Sequence, residues 1–258
     1  MRPLCLDHLS LYDVTALELI KVAAELGCDA VSLFVTPTPL GPYRDLTTDR
    51  AAKAEVLAAL RDTGLSVGIV EPFLLEPNTD WDLLKRSAAL AAELNGTVNA
   101  LCFDEEPVRL QASFGRLAEI ARAAGARMAI EGFTLSTVRT PADALAMADT
   151  VGQEIGLTID TLHIIRTGGS WADLAILPQD RIFHVQINDG PRKAPSDLRT
   201  EATVARLPPG QGEFDIASFI PLVPLTALLA VEAPFRAPTG MPLERARTMV
   251  KATRALMA

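Results

Sequence analysis

Four polar side chains each close a run of apolar residues: Glu131 in RMAIEGF, Asp160 in IGLTIDTLH, Gln186 in IFHVQINDG and Glu232 in LLAVEAPF. A carboxylate that follows such a run has just left a buried strand and faces solvent or a pocket. Two glutamates, an aspartate and an amide carbonyl brought to one point make a hard, all-oxygen shell. Three carboxylates there would repel, and at least one would keep a proton unless a cation joined them. The set therefore calls for one divalent metal ion, Mn²⁺ or Mg²⁺ ahead of a structural Zn²⁺ site, which prefers His and Cys. With His184 in place of Gln186 as the strand-seven ligand, Co²⁺ or Zn²⁺ becomes the better match.

Whether the four residues converge depends on the elements that carry them. Short β-rich apolar runs occupy 3–10, 30–35, 66–73, 97–103, 127–133, 156–163, 182–189 and 228–235. Between them lie VTALELIKVAAELG, TTDRAAKAEVLAALRDTG, NTDWDLLKRSAALAAELN, VRLQASFGRLAEIARAAG and TPADALAMADTVG, each apolar at the helix period. Thr48 and Asn78 read as residues that open helices, and Gly27, Gly64 and Gly125 as residues that close them. SWADLAIL and DIASFIPL suggest shorter helices, and PLERARTMVKATRALMA a terminal one. The alternation predicts an α/β fold, a (β/α)₈ TIM barrel forming a single domain over 1–258. A doubly wound open sheet competes, but the first turn, LDHLSLYDVT, contains no GxGxxG.

A barrel gathers functional groups at the carboxyl ends of its strands. Strand parity then allows Ala129 with Glu131, Thr158 with Asp160, His184 with Gln186 and Ala230 with Glu232 to face the lumen. Their bulky apolar neighbours face the helices.

Composition narrows the partners. The 258 residues are 49% hydrophobic and 22% charged, enough for a sizeable core. A net charge of −8 without a basic stripe speaks against nucleic acid. Cys5, Cys28 and Cys102 are widely spaced, with no CxxC, and read as buried thiols of a reducing compartment. MRPLCLDHLSL lacks a signal pattern and no apolar run approaches ~18 residues, so the expectation is a cytoplasmic protein without membrane association. The expected partner is a small-molecule substrate, with a homodimer or homotetramer as the expected assembly.

The segments IEGF, TIDTLH, HVQIND, RLPPGQGEFD and VEAPF resemble strands five to eight of the xylose-isomerase-like TIM barrels, which include sugar isomerases, epimerases and related lyases. The eight-unit layout extends the resemblance to nearly the whole chain, although the first half holds no distinctive motif. The resemblance implies a divalent metal held by Glu131, Asp160, Gln186 and Glu232. Gln186 stands where other members place a His, as in the hydroxypyruvate isomerases and dehydroshikimate dehydratases. His184 is then a substrate-binding lumen residue.

His163 matches the histidine of the family's DxxH motif and would serve as acid, base or hydrogen-bond donor. Arg206 opens a segment similar to Arg-x-x-PGxG-x-x-D and would clamp a substrate carboxylate or oxyanion; its plainer role is pairing with Glu213 or Asp215. Glu71 ends strand three and reaches the pocket or solvent. Asp189 is expected to stabilise the turn after strand seven, Phe73, Phe133 and Phe235 to wall the site, and Trp81 and Trp171 to pack.

The implied activity is a metal-dependent isomerase or epimerase of a sugar or hydroxy-keto acid, working through an enediolate with Glu131 and Glu232 as catalytic acid and base. The closest alternative is a dehydratase of a dehydroshikimate- or inosose-like substrate, with a non-catalytic accessory subunit as the third. An abasic-site endonuclease is excluded, since the chain has only three histidines and the wrong charge.

Overall fold

The computed structural model describes residues 2–235 and 240–257. Among them the apolar runs become eight strands: β1 Leu4–Leu6, β2 Ala30–Phe34, β3 Ser66–Leu75, β4 Thr97–Cys102, β5 Arg127–Glu131, β6 Gly156–Asp160, β7 Ile182–Ile187 and β8 Leu228–Val231. Each pairs in parallel with its sequence neighbours, and β8 returns to β1. The sheet closes as a (β/α)₈ TIM barrel, with helices around it.

The helices are α1 Ala16–Glu25, α2 Arg50–Thr63, α3 Trp81–Glu93, α4 Pro107–Ala124, α5 Pro141–Asp149, α6 Thr161–Arg166, α7 Leu198–Val204, α8 Ile216–Phe219 and α9 Pro242–Met257. Gly64 and Gly125 cap α2 and α4 with positive φ, which glycine adopts without a Cβ clash. The opening caps differ from the sequence reading. Asp49 and Asp80, not Thr48 and Asn78, accept the free amides of Ala52 and Leu83. A carboxylate at a helix start gains from the dipole as well as from the hydrogen bond. SWADLAIL forms a 3₁₀ turn, Trp171–Ile176, and DIASFIPL holds the four-residue α8 followed by a 3₁₀ turn, Ile220–Leu222.

Alternation divides each strand between two surroundings. Met128, Ile130, Leu157, Ile159, Val185, Ile187, Leu229 and Val231 lie in the large core between sheet and helices. Cys5, Ala30 and Ala230 meet inside the barrel with Leu228. A Cβ on Gly68 would stand 2.9 Å from Leu228 Cδ2 and 3.3 Å from Ser32 Oγ, so small residues are required on this floor. Polar side chains take over toward the carboxyl ends.

Two local departures shape that end. β6 stops at Asp160 rather than running on to His163, because Asp160 Oδ1 accepts the Leu162 amide at 2.7 Å and starts α6. In β3, three steps from Val70 to Phe73 face two from Val98 to Ala100 on β4. The extra residue makes a bulge beside Glu71.

The three cysteines are free and buried. Among the described residues no helix is long and apolar enough to cross a membrane.

Candidate active site

Glu131 and Asp160 are the last residues of β5 and β6, Gln186 lies near the end of β7, and Glu232 follows β8. All four side chains are buried at the carboxyl end of the lumen. Arg206 links two of them: its Nη1 donates to Asp160 Oδ2 at 2.6 Å and to Glu232 Oε2 at 2.6 Å. Gln186 Nε2 donates to Glu232 Oε1 at 3.0 Å and to Asp7 Oδ2 at 3.3 Å. Glu131 Oε1 lies 3.5 Å from His163 Nε2, which is also 4.0 Å from Asp160 Oδ2.

The groups fall into two adjoining trios rather than one quartet. Glu131, Asp160 and His163 present ligand atoms within 4.8 Å of one another, and so do Asp7, Glu71 and Glu232. Arg206 joins the trios, and Gln186 touches the second. His163, expected from the sequence as an acid, base or hydrogen-bond donor, stands where it could equally be a metal ligand.

His163 sits in the first turn of α6, edge-on to Phe133 at 4.2 Å between centroids. Its Nδ1 meets Thr134 Oγ1 at 3.1 Å, and its Nε2 has no hydrogen-bond partner. Burial lowers its pKa to about 4, so the ring is neutral near pH 7.

His184 faces the lumen one layer deeper. It is level with Thr158, whereas Gln186 is level with Asp160. Burial takes its pKa down to about 3, and its Nε2 is unpartnered. It does not reach the carboxylates.

Arg206 is 1% exposed and pairs with neither Glu213 nor Asp215. Its Nε donates to Ala202 O at 2.9 Å and its amide to Pro234 O at 2.8 Å, which fixes it among the carboxylates. Asp189 stabilises the segment after β7, accepting from Gly190, Gly210 and Phe214 amides at 2.8, 2.9 and 3.0 Å.

The aromatic residues divide. Phe133 and Phe103 meet edge to face near His163, whereas Phe73 is packed in the outer core. Phe235 is partly buried against that same core, Trp81 lies under Arg116, and Trp171 packs on Phe219.

The sequence reading passed over two residues. Asp7 follows the apolar run of β1, the same pattern that singled out the other four. Asn99 is a lone amide inside the apolar β4 run TVNALCF, and it is fully buried. Its Nδ2 donates to Glu71 Oε1 at 3.0 Å and Glu131 Oε2 at 2.9 Å.

Five buried carboxylates, Asp7, Glu71, Glu131, Asp160 and Glu232, thus share one guanidinium. Burial pushes the Glu71 carboxyl up to about 8, and Asp7 adds to the shift. Burial also raises Asp7 and puts Glu131 and Glu232 well above the usual carboxylate range, Asp160 adding to both glutamates. Asp160 alone goes the other way: burial is the largest single influence and works upward, but Arg206, His163 and the hydrogen bond from Asn188 together outweigh it.

Excess buried negative charge, together with partnerless Gln186 Oε1 and His163 Nε2, fits a divalent cation. Asp160, Glu131 and His163 on one side, and Glu232 and Gln186 on the other, are the side chains that would hold it.

The family description "Xylose isomerase-like TIM barrel" matches residues 20–234. The chain belongs to this family. A 3-dehydroshikimate dehydratase of Pseudomonas aeruginosa is 27% identical over 220 residues, covering 79% of this chain and 33% of the relative. The chain thus spans about a third of that relative's length.

Among solved structures, a xylose isomerase-like TIM barrel/4-hydroxyphenylpyruvate dioxygenase fusion protein superposes with a TM-score of 0.82 at 22% identity, over 99% of this chain and 42% of the other. The IOLI protein with a bound zinc atom gives a TM-score of 0.76 at 20% identity, over 99% and 98% of the two chains. The relatives whose names give an activity are enzymes, and the zinc of the IOLI protein belongs to the same fold.

Proposed function

We propose that the chain is a divalent-cation-dependent isomerase or epimerase of a small, uncharged hydroxycarbonyl compound of the sugar class. One observation carries the reading: among the described residues, five buried carboxylates stand with one guanidinium at the carboxyl end of the lumen, beside an amide oxygen and an imidazole nitrogen that have no partners. Such a group of charges is costly to bury unless it serves a bound cation.

A divalent cation here supplies the positive charge that polarises a substrate carbonyl and acidifies the neighbouring C–H. The remaining chemistry belongs to the side chains. Glu131 on β5 and the Glu232 carboxylate beyond β8 stand on either side of Asp160, and in this reading one takes a proton from carbon and the other returns it. Burial raises the pKa of both, which makes each a stronger base than an exposed carboxylate. Neutral His163 would turn its Nε2 to the cation, its Nδ1 being held by Thr134 Oγ1. Phe103 and Phe133 shield the His163 side from water.

The uncharged substrate follows from Arg206. It is the guanidinium inside the carboxylate cluster, and its Nη1 is already engaged by Asp160 and Glu232. Among the described residues Arg206 is the cationic side chain hydrogen-bonded within the five acidic groups, and a substrate carboxylate would have to compete with Asp160 and Glu232 for it. A dehydratase is the second reading, favoured by the 27% identity to a 3-dehydroshikimate dehydratase. It would use the same proton abstraction and then expel a β-hydroxyl.

Product analysis by NMR in D₂O, on a panel of keto sugars, inososes, hydroxypyruvate and dehydroshikimate with Mn²⁺, Mg²⁺ or Co²⁺, separates the two. Solvent deuterium in a product of unchanged mass formula supports isomerisation. An unsaturated product, or turnover of the acids alone, overturns it.

A further inference from the structure

Asn99 lies in the middle of β4, with no exposed surface and every polar position of its amide engaged. One N–H donates to Glu71 Oε1 on β3, at 3.0 Å, and the other to Glu131 Oε2 on β5, at 2.9 Å. Its Oδ1 accepts from Thr158 Oγ1 on β6, at 2.8 Å. One side chain thereby ties four consecutive strands together at the level just beneath the candidate cation site.

We infer that Asn99 is a positioning residue: it holds Glu131 by Oε2 so that Oε1 faces the cation, and Thr158 holds Asn99 in turn. The inference rests on the cation proposed above. Three features of the fold converge on it. The extra residue in β3 between Val70 and Phe73 turns Glu71 toward Asn99. The register sets Asn99 level with Ala129, two residues below Glu131, which lets a short amide reach the carboxylate from underneath. Glu131 Oε1, the oxygen Asn99 leaves free, is the one 3.5 Å from His163 Nε2. The amide thus distinguishes two otherwise equivalent oxygens.

The geometry also explains why the residue is Asn. An Asp would set a third carboxylate between two others, and an apolar side chain would leave both without a donor. A rotated amide would bring Oδ1 against both carboxylates, while the hydroxyl of Thr158 would lose its acceptor. Groups that orient ligands in this way typically alter metal affinity by roughly 10–100-fold when removed.

The test is a Co²⁺ titration of the full chain, read by visible absorption, with no substrate required. Asn99→Leu is expected to bind Co²⁺ roughly 10–100-fold more weakly, with an altered ligand-field spectrum because Glu131 can turn. Because loss of two donors could prevent folding, Thr158→Val and Thr158→Ser provide an independent pair. The valine variant should show the altered spectrum, and the serine variant, which keeps the hydroxyl, should restore it.

A purely structural role would lower the melting temperature of the metal-free protein and leave the Co²⁺ spectrum unchanged. Asn99→Leu with native spectrum and affinity, or Thr158→Ser behaving like Thr158→Val, overturns the inference and leaves the cation site standing. Failure of the unaltered protein to take up Co²⁺ overturns both.

Discussion

Arg206 Nη1 lies 2.6 Å from Asp160 Oδ2, and both side chains are buried. The same atom contacts Glu232, so one guanidinium favours the ionised form of two carboxylates, at the ends of β6 and β8. Asp160 is held ionised by this contact, while Glu232 and Glu131 are pushed toward the protonated form.

Replacing Arg206 by Leu leaves two buried carboxylates without their cation. Breaking a buried pair in this way costs about 3–5 kcal/mol, which for a chain of this size is roughly 6–20 °C in Tm. The loss should not shrink when Mn²⁺ is added, because Arg206 holds Asp160 and Glu232 in the arrangement that the cation would need. Arg206→Lys should not restore stability, since an ammonium lacks the fork that reaches Asp160, Glu232 and Ala202 O together. Calorimetry with and without metal checks both statements. An Arg206→Leu protein as stable as the parent in EDTA would contradict this account.

The metal-free protein should lose stability as pH rises from about 6.5 to 8. Glu71 has a folded pKa of about 8 against an ordinary 4.5, so folding takes up a proton within that window. Its contribution is complete below 4.5 and fades as pH climbs to 8. His163 and His184 have the opposite sign, with folded values near 4 and 3 against 6.5. They favour the fold above 6.5 and weaken it only at lower pH, so above 6.5 the carboxylates dominate. One such proton is worth roughly 2 kcal/mol across the window. Melting curves in EDTA should therefore fall by several degrees, and Glu71→Gln should flatten the slope. With Mn²⁺ the trend should reverse, because deprotonated carboxylates bind metal better.

The barrel could be read from the sequence because buried parallel strands announce themselves as apolar runs, and the helix period fills the gaps between them. Glu131, Asp160, Gln186 and Glu232 showed themselves as polar residues breaking such runs, and they do gather in one buried network. Asp7 broke a run in the same way, yet three-residue β1 offers too little pattern to single it out. The bulge that turns Glu71 inward depends on register with β4, which no local pattern encodes. The depth of His184 is a register property too: parity gave its face, but not its layer. Arg206 needed the whole connection between β7 and β8 to bring it back over the strands.

The loop carrying Arg206 depends on Gly212. A Cβ there would stand 2.3 Å from Asp189 Oδ1 and 2.5 Å from Gly190 N, both parts of the turn that Asp189 organises. Gly212→Ala should displace this segment, at a cost of roughly 1–3 kcal/mol, and weaken metal binding through Arg206. Asp189→Ala should produce the same pair of effects, since it leaves three backbone amides without their acceptor at once. Isothermal titration with Mn²⁺, alongside thermal melts, would reveal whether stability and affinity fall together. Loss of stability with unchanged affinity would detach the loop from the site.

Glu131→Gln and Glu232→Gln separate proton transfer from structure. Each substitution keeps the shape of the side chain and one oxygen, but removes the group that exchanges a proton. Burial raises the pKa of both glutamates, so a neutral amide of the same shape avoids the cost of burying a charge in the metal-free fold. The amide variants should therefore melt at or above the parent's temperature in EDTA. Turnover on whichever hydroxycarbonyl compound the panel identifies should nevertheless fall by roughly 10²–10⁴-fold. Deuterium exchange divides the roles further. The variant lacking the abstracting carboxylate should lose wash-in of solvent deuterium into unreacted substrate, whereas the one lacking the returning carboxylate should retain exchange but form product slowly. If either variant kept full turnover, its carboxylate would carry no proton, and the paired assignment of Glu131 and Glu232 would have to be abandoned.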